Sequence, residues 1–262
     1  MMITVNTLAK RFKLNKEHKK QKQCTDVREH DGYFHSVKDV SFQCGYGEVL
    51  GLLGPNGAGK TTTLRMLSTA LTPDKGEITI DDIDIIKHPL KGRKAIGFLS
   101  GTTGLYGRLT ARENIEYFGK LHGLKGNALK QKCEALFTML DMTSFLDKRA
   151  EHLSTGMKQK TNIARAVVHN PKVVILDEPT TGLDIMTTQT VIAFIRTLKK
   201  QGTPVIFSTH HLDEVALLCD KLAVIDNGVS CFDGTVDEFK LRGESNELNQ
   251  AFLNLLDERC HV

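Results

Sequence analysis

The chain has 262 residues, 40% hydrophobic and 25% charged, which suits one large globular domain or a core with a lobe inserted into it. A net charge of +4 is too mild to argue for nucleic acid as a partner, and no apolar run approaches the roughly 20 residues needed to cross a bilayer. The first residues show no signal-peptide pattern. The six separated cysteines (Cys24, Cys44, Cys133, Cys219, Cys231, Cys260) include no CxxC pair, so they read as reduced, mostly buried thiols rather than a disulfide frame or zinc site. A cytoplasmic chain is expected, unless something carries it to a membrane.

In chain order, two strand-like pieces come first, at 3–8 and 37–42. The stretch 10–22 between them is crowded with lysine, and polarity continues to about Ser36. It reads as a solvated loop or frayed hairpin, with contact to anionic lipid headgroups as the alternative. Three short apolar runs follow, at 49–53, 173–176 and 205–207, each the length of a strand buried on both faces of a parallel sheet. Helical patterns follow the first two, at 61–70 and 186–199, and strand, loop and helix in repetition predict an α/β fold with a mainly parallel sheet. More than a hundred residues separate the first two runs. Amphipathic helices predicted at 110–121, 128–140 and 155–169 make this stretch an inserted helical lobe.

The chemistry lies at the carboxyl ends of these strands, where ligands of such sheets collect. Gly54-Pro55-Asn56-Gly57-Ala58-Gly59-Lys60-Thr61 fits G-x-x-x-x-G-K-[ST], followed by Thr62. Its glycines let backbone N–H groups face phosphate oxygens, and a helix N-terminus adds its dipole. Lys60 is placed to bridge the β- and γ-phosphates of ATP and Thr61 to ligate Mg²⁺. Asp177 and Glu178 leave the second apolar run. Beside a phosphate loop they suit a metal carboxylate and a general base for water; alone they are an ordinary solvated turn. Ser154, in Leu153-Ser154-Thr155-Gly156-Met157, is a natural helix N-cap, and the same terminus can take an anion. His210 ends the third run and can bond a γ-phosphate or the attacking water, with His211 the weaker candidate.

Together these residues resemble the ATP-binding subunits of ABC transporters, and the likeness covers nearly the whole chain. GPNGAGKT resembles their Walker A loop, LSTGM their LSGGQ signature with Thr155 and Met157 replacing Gly and Gln, and VVILDEP their Walker B strand with its catalytic Glu. Gly182-Leu183-Asp184 looks like the D-loop and His210 like the switch histidine. The resemblance implies a P-loop NTPase core with an N-terminal antiparallel β subdomain and an inserted helical subdomain. It implies one domain over 1–262, with core at about 1–95 and 170–240, helical lobe at about 96–169 and a C-terminal helix at about 241–262. It also implies ATP and Mg²⁺ as cofactors, a head-to-tail homodimer in which Ser154 and Gly156 serve the partner's ATP, and an integral-membrane permease at the cytoplasmic face of the cell membrane. Phe12 matches the adenine-stacking aromatic, with Tyr33 as fallback and a core-strand role for Phe12 as the alternative. One departure stands out: Gly101 falls where the family places a Gln that contacts Mg²⁺ and couples to the permease, which leaves Thr102 or water to substitute.

The 102–118 stretch and the LSTGM variant resemble the exporter subgroup that includes the bacterial NatA sodium-efflux ATPases. Export driven by ATP hydrolysis is the expected function. A nucleotide-gated clamp with little turnover is the alternative suggested by the missing Gln. An ABC-type ATPase of DNA repair or translation lacks support, since the chain shows neither long coiled coils nor a second cassette. A small-molecule kinase does not account for LSTGM.

Overall fold

The structure, a computed structural model, describes residues 2–14, 26–101 and 104–260, with side chains to 257 in the last segment. The lysine-rich 16–22, Cys24, Thr102 and the side chain of Cys260 therefore lie outside the described residues. The four described cysteines are free thiols, Cys44 and Cys133 buried, Cys219 and Cys231 half-buried.

The N-terminal third builds an antiparallel layer. β1 (Ile3–Lys13) pairs with β3 (Tyr33–Cys44) on one side and β5 (Lys75–Ile80) on the other; β2 (Glu29–His30) flanks β3, and β6 (Ile83–Asp84) flanks β5. Val5 and Leu8 are both fully buried although three residues apart, a spacing that strict alternation would send to opposite faces. A register shift between them, with Thr7 at φ +46, brings both to the core.

The remaining strands form the main sheet: β4 (Val49–Leu53), β7 (Ile96–Leu99), β8 (Val173–Asp177), β9 (Val205–Thr209), β10 (Lys221–Asp226) and β11 (Val229–Thr235). β10, β4, β9, β8 and β7 lie side by side in that order, all parallel. β11 pairs antiparallel with β10 and meets β3 through Val229 and Asp39, joining both layers into one sheet. Every residue of β4, β8 and β9 is buried, as their continuous apolar runs predict. The parallel alignment brings the exits of β4, β7, β8 and β9 to one edge.

Helix α1 (Lys60–Leu67) follows β4, and α2 (Pro89–Ala95) precedes β7. Between β7 and β8 come α3 (Ala111–Leu121), α4 (Gly126–Met139) and α5 (Thr155–Val167), whose buried faces share one apolar cluster with β8 and β9. β7 itself, within the expected lobe limits 96–169, is hydrogen-bonded into the sheet. A reciprocal capping box of Thr110 and Glu113 fixes the start of α3. Helices α6 (Ile185–Lys200), α7 (Leu212–Leu218), α8 (Val236–Arg242) and α9 (Leu248–Cys260) complete the fold. Among the described residues, no helix is long and apolar enough to cross a membrane.

Candidate functional site

Where β4 leaves the sheet, the backbone turns so tightly that only glycine fits at two positions. A Cβ on Gly54 would stand 2.1 Å from the Ile225 carbonyl oxygen, and one on Gly59 (φ +112) 2.7 Å from that of Ser36. Pro55, Asn56 and Gly57 form the exposed tip, while Ala58 is buried and its carbonyl accepts from the Gly228 N–H at 2.9 Å. Lys60 opens α1 with only 6% of its surface exposed, and its Nζ donates to the carbonyls of Gly54 at 2.6 Å and Pro55 at 3.1 Å. Burial lowers the pKa of this ammonium below the usual lysine range, opposed by the charges of Glu178 and Asp177. Thr62 shares a 2.8 Å hydrogen bond with Ser36, tying the loop to β3.

The carboxylates converge on the same edge. Asp177, 7% exposed at the end of β8, accepts at Oδ1 from Ser208 Oγ at 2.7 Å and from Thr61 Oγ1 at 3.3 Å. Glu178 sits at φ +47, a backbone state that costs a non-glycine residue about 1–3 kcal/mol and persists only where neighbours hold it. Its N–H donates to Ser208 Oγ at 2.9 Å, and its carboxylate accepts from Thr181 Oγ1 at 3.2 Å. His210 Nδ1 stands 3.4 Å from Glu178 Oε1, and the His211 ring is tilted by 41° to that of His210, at 4.1 Å between ring centroids.

A cavity of about 260 Å³ opens between this loop and β3. Asn56, Gly57, Gly59, Lys60, Thr61 and Thr62 form one wall, Arg28, Phe34 and Ser36 the other, and Glu178 also lines it. Phe12 does not line it: its side chain, in a residue 41% exposed, lies beside the Lys10 ammonium, 6.0 Å from the ring centroid. Tyr33 does not line it either, being covered by the Arg11 guanidinium at 4.3 Å. The aromatic on the wall is Phe34, the cross-strand partner of Phe12.

Sequence reasoning missed Phe34 because it started this strand at 37 rather than Tyr33. With the strand extended, Phe34 falls two residues before Ser36 and shares its face. Arg28 left no signal at all. Its guanidinium is held by both Asp26 oxygens, donates to the Gly57 carbonyl at 2.6 Å and lies 4.8 Å over the Phe34 ring.

The signature residues stand apart from the cavity. Ser154 caps α5, its Oγ accepting from the Met157 N–H at 3.3 Å, so the capping role read from the sequence holds. Gly156 packs against the start of α6, where a Cβ would come 2.7 Å from Thr187 Oγ1. Asp184 accepts there from the Thr187 N–H and hydroxyl at 2.9 and 2.7 Å. Next to this junction Ile185 and Met186 are 80% and 77% exposed, a pair of apolar side chains unusual at a solvent boundary.

Comparison with known proteins agrees with this geometry. A family model described as ABC transporter matches residues 37–181. The ABC transporter ATP-binding protein NatA of Bacillus subtilis (strain 168) is 42% identical over 222 residues, 84% of this chain and 90% of that protein. The linearmycin resistance ATP-binding protein LnrL of the same organism is 34% identical over 248 residues, 92% of this chain and 80% of its own length. Among solved structures, a dimeric ATP-binding cassette in a post-hydrolysis state with ADP and Pi superposes with a TM-score of 0.77 at 24% identity, covering 90% of this chain and 99% of that one.

Proposed function

This chain belongs to the ABC transporter family, and from that premise we propose that it hydrolyses ATP at head-to-tail dimer interfaces to drive export through a separate membrane permease. ATP binding and hydrolysis belong to the family. The observation that supports the finer reading is the split between the two halves of the site. Lys60, Thr61, Asp177, Glu178 and His210 gather at one sheet edge, whereas Ser154 and Gly156 lie away from that cavity on a surface bordered by exposed Ile185 and Met186. A second subunit brings its signature helix to the phosphate site, and the apolar pair suits the contact.

Thr61 and Asp177 supply a hydroxyl and a carboxylate, the hard oxygen donors that Mg²⁺ takes alongside nucleotide phosphates, so the donor set fits this ion. When bound, Mg²⁺ neutralises charge on the β- and γ-phosphates. Lys60 holds those phosphates, Glu178 orients and deprotonates the attacking water, and His210 keeps Glu178 and the γ-phosphate aligned. Stacking of the base falls to Phe34 rather than Phe12, in keeping with the cavity wall.

For the permease, a second cavity of about 280 Å³ offers a seat between Phe98 of β7 and Phe118, His122, Arg165 and His169 of the lobe. On this reading the subunit sits on the cytoplasmic face of the membrane. Sodium-ion efflux, implied by the subgroup resemblance, is the cargo we propose. The permease selects it, and sodium transport by the reconstituted pair is the assay.

Glu178→Gln tests the dimer. The variant is expected to bind ATP without cleaving it and to run as a dimer on size exclusion with light scattering. Adding Ser154→Arg is expected to return it to monomer, since bulk then meets the shared phosphate. A Glu178→Gln chain that is monomeric both alone and with its permease at saturating ATP would sink the shared-site reading.

A further inference from the structure

The contact between Glu178 and His210 is made by two loops that have already left the sheet. The last paired residues of β8 and β9 are Asp177 and Ser208. Beyond that pair, one strand continues through Pro179 and Thr180 and the other through Thr209 to His210. Glu214 bridges this gap from the first turn of α7. It is 8% exposed, and its two carboxylate oxygens accept from two different segments: Oε1 from the hydroxyl of Thr180 in the turn after β8, Oε2 from the hydroxyl of Thr209, the last residue of β9, at 2.7 Å. Both threonines are buried, at 8% and 2% exposure. Thr209 Oγ1 in turn accepts from the His211 N–H at 3.0 Å, which fixes the backbone on the far side of His210.

We propose that Glu214 is a positioning residue for ATP hydrolysis, a buried carboxylate clamp that sets the distance between Glu178 and His210. A carboxylate suits this place because its two divergent oxygens can each take one hydroxyl donor from a separate segment. Burial makes both bonds matter, because a hydroxyl left without a partner there has no water to turn to. Glu214 does not line the nucleotide cavity, so its action passes through the two loops. The Glu178 turn is also gripped from the signature helix, where Gln159 Nε2 donates to the Pro179 carbonyl at 2.6 Å. The clamp therefore fixes the one side of that turn that faces the histidine.

The proposal rests on the catalytic reading of Glu178 and His210, and the test separates the two. Steady-state phosphate release and nucleotide affinity are measured for Glu214→Ala, Glu214→Gln, His210→Ala and the Glu214→Ala/His210→Ala double variant of the full chain. Glu214→Ala is expected to lower kcat at least tenfold with KM and ATP affinity within about twofold of wild type. Glu214→Gln, which keeps one acceptor, is expected to recover part of the loss. In the His210→Ala background, Glu214→Ala is expected to change the residual kcat less than twofold, because the group it positions is gone. A full tenfold loss in both backgrounds, or parallel losses of kcat and ATP affinity, would overturn the clamp while leaving the catalytic pair intact. Unchanged kcat in Glu214→Ala would also overturn it. If Glu214→Ala does not fold, Thr180→Val and Thr209→Val each remove one arm. A several-fold kcat loss in each, absent from the His210→Ala background, supports the clamp, and wild-type turnover in both overturns it.

Discussion

Two loops leave neighbouring strands of the parallel sheet at the same edge and are built in opposite ways. At the exit of β8, Asp177, Glu178 and Thr180 are bonded to Ser208, Thr181 and Glu214, and the adjoining exit of β9 shares that network. At the exit of β7, Ser100 is followed by Gly101, where an added Cβ would meet nothing within 4 Å among the described residues. The first region fixes side chains to within hydrogen-bonding tolerance, as bond-breaking requires of groups whose dipoles must be aimed beforehand. The second leaves a backbone position with room to accept a new side chain. Where the family pattern asks for a coupling Gln, this chain has space instead. The braced edge is the one proposed to carry the chemistry, and the open one follows β7, whose Phe98 lines the groove proposed for the permease.

The largest test of the braced edge removes Lys60. It is buried, it faces Asp177 and Glu178, and among the described residues lining the cavity Arg28 is already bonded to Asp26. Lys60→Ala is expected to reduce phosphate release by at least about a hundredfold, the scale of losing one preorganised electrostatic group. Turnover near wild type would show that the phosphate loop has been misread.

Next comes the histidine. His210→Ala is expected to slow hydrolysis by about tenfold to a hundredfold while nucleotide affinity changes by less than about threefold, since a group acting on water and γ-phosphate contributes mainly in the transition state. His211→Ala is the control, expected within about twofold of wild type. A larger loss in His211→Ala would move the switch by one residue and weaken the significance of the 3.4 Å contact between His210 and Glu178.

Ser208 probes the bracing itself. It is fully buried, donates to Asp177 and accepts from the Glu178 N–H, so Ser208→Ala orphans a backbone donor beside a strained residue. A stability loss of about 1–3 kcal/mol by denaturant titration is expected, together with a several-fold lower kcat. Full activity with full stability would mean that the Glu178 turn stands without this support.

What the sequence disclosed, and what it hid, follows the same division between contiguous and distant partners. Gly54 to Thr62 and Asp177-Glu178 are local strings whose chemistry is written in adjacent letters, and their strands read clearly because β4, β8 and β9 are apolar throughout. Phe34 was hidden because its role depends on where β3 begins and on its register with β1. Phe12 and Phe34 are equally aromatic and directly paired, and only the position of the cavity reveals which one lines it. Arg28 and Glu214 were hidden more deeply. Arg28 finds Gly57 across 29 residues and Glu214 finds Thr180 across 34, and no periodicity predicts such meetings. Ser154 shows the converse: the local capping pattern was legible, and the structure keeps it, whereas the service proposed for it toward a second subunit is something no single chain displays.

The smallest expected effect lies at the open edge. Gly101 does not have a positive φ, and an added Cβ would meet none of the described residues within 4 Å, so a side chain can start there without backbone strain. Gly101→Gln is accordingly expected to leave thermal stability within about 0.5 kcal/mol of wild type, the range of surface substitutions. Turnover of the isolated chain at saturating Mg²⁺ is expected within about twofold. The change should instead appear in how much Mg²⁺ the reaction needs: an added amide oxygen near the phosphates supplies one more hard donor, and half-maximal activity is expected at a few-fold lower Mg²⁺. A tenfold fall in kcat would place this loop inside the braced network and erase the contrast with β8. An unchanged Mg²⁺ dependence would show that the exit of β7 does not reach the metal, leaving contact with the permease as the task of this loop.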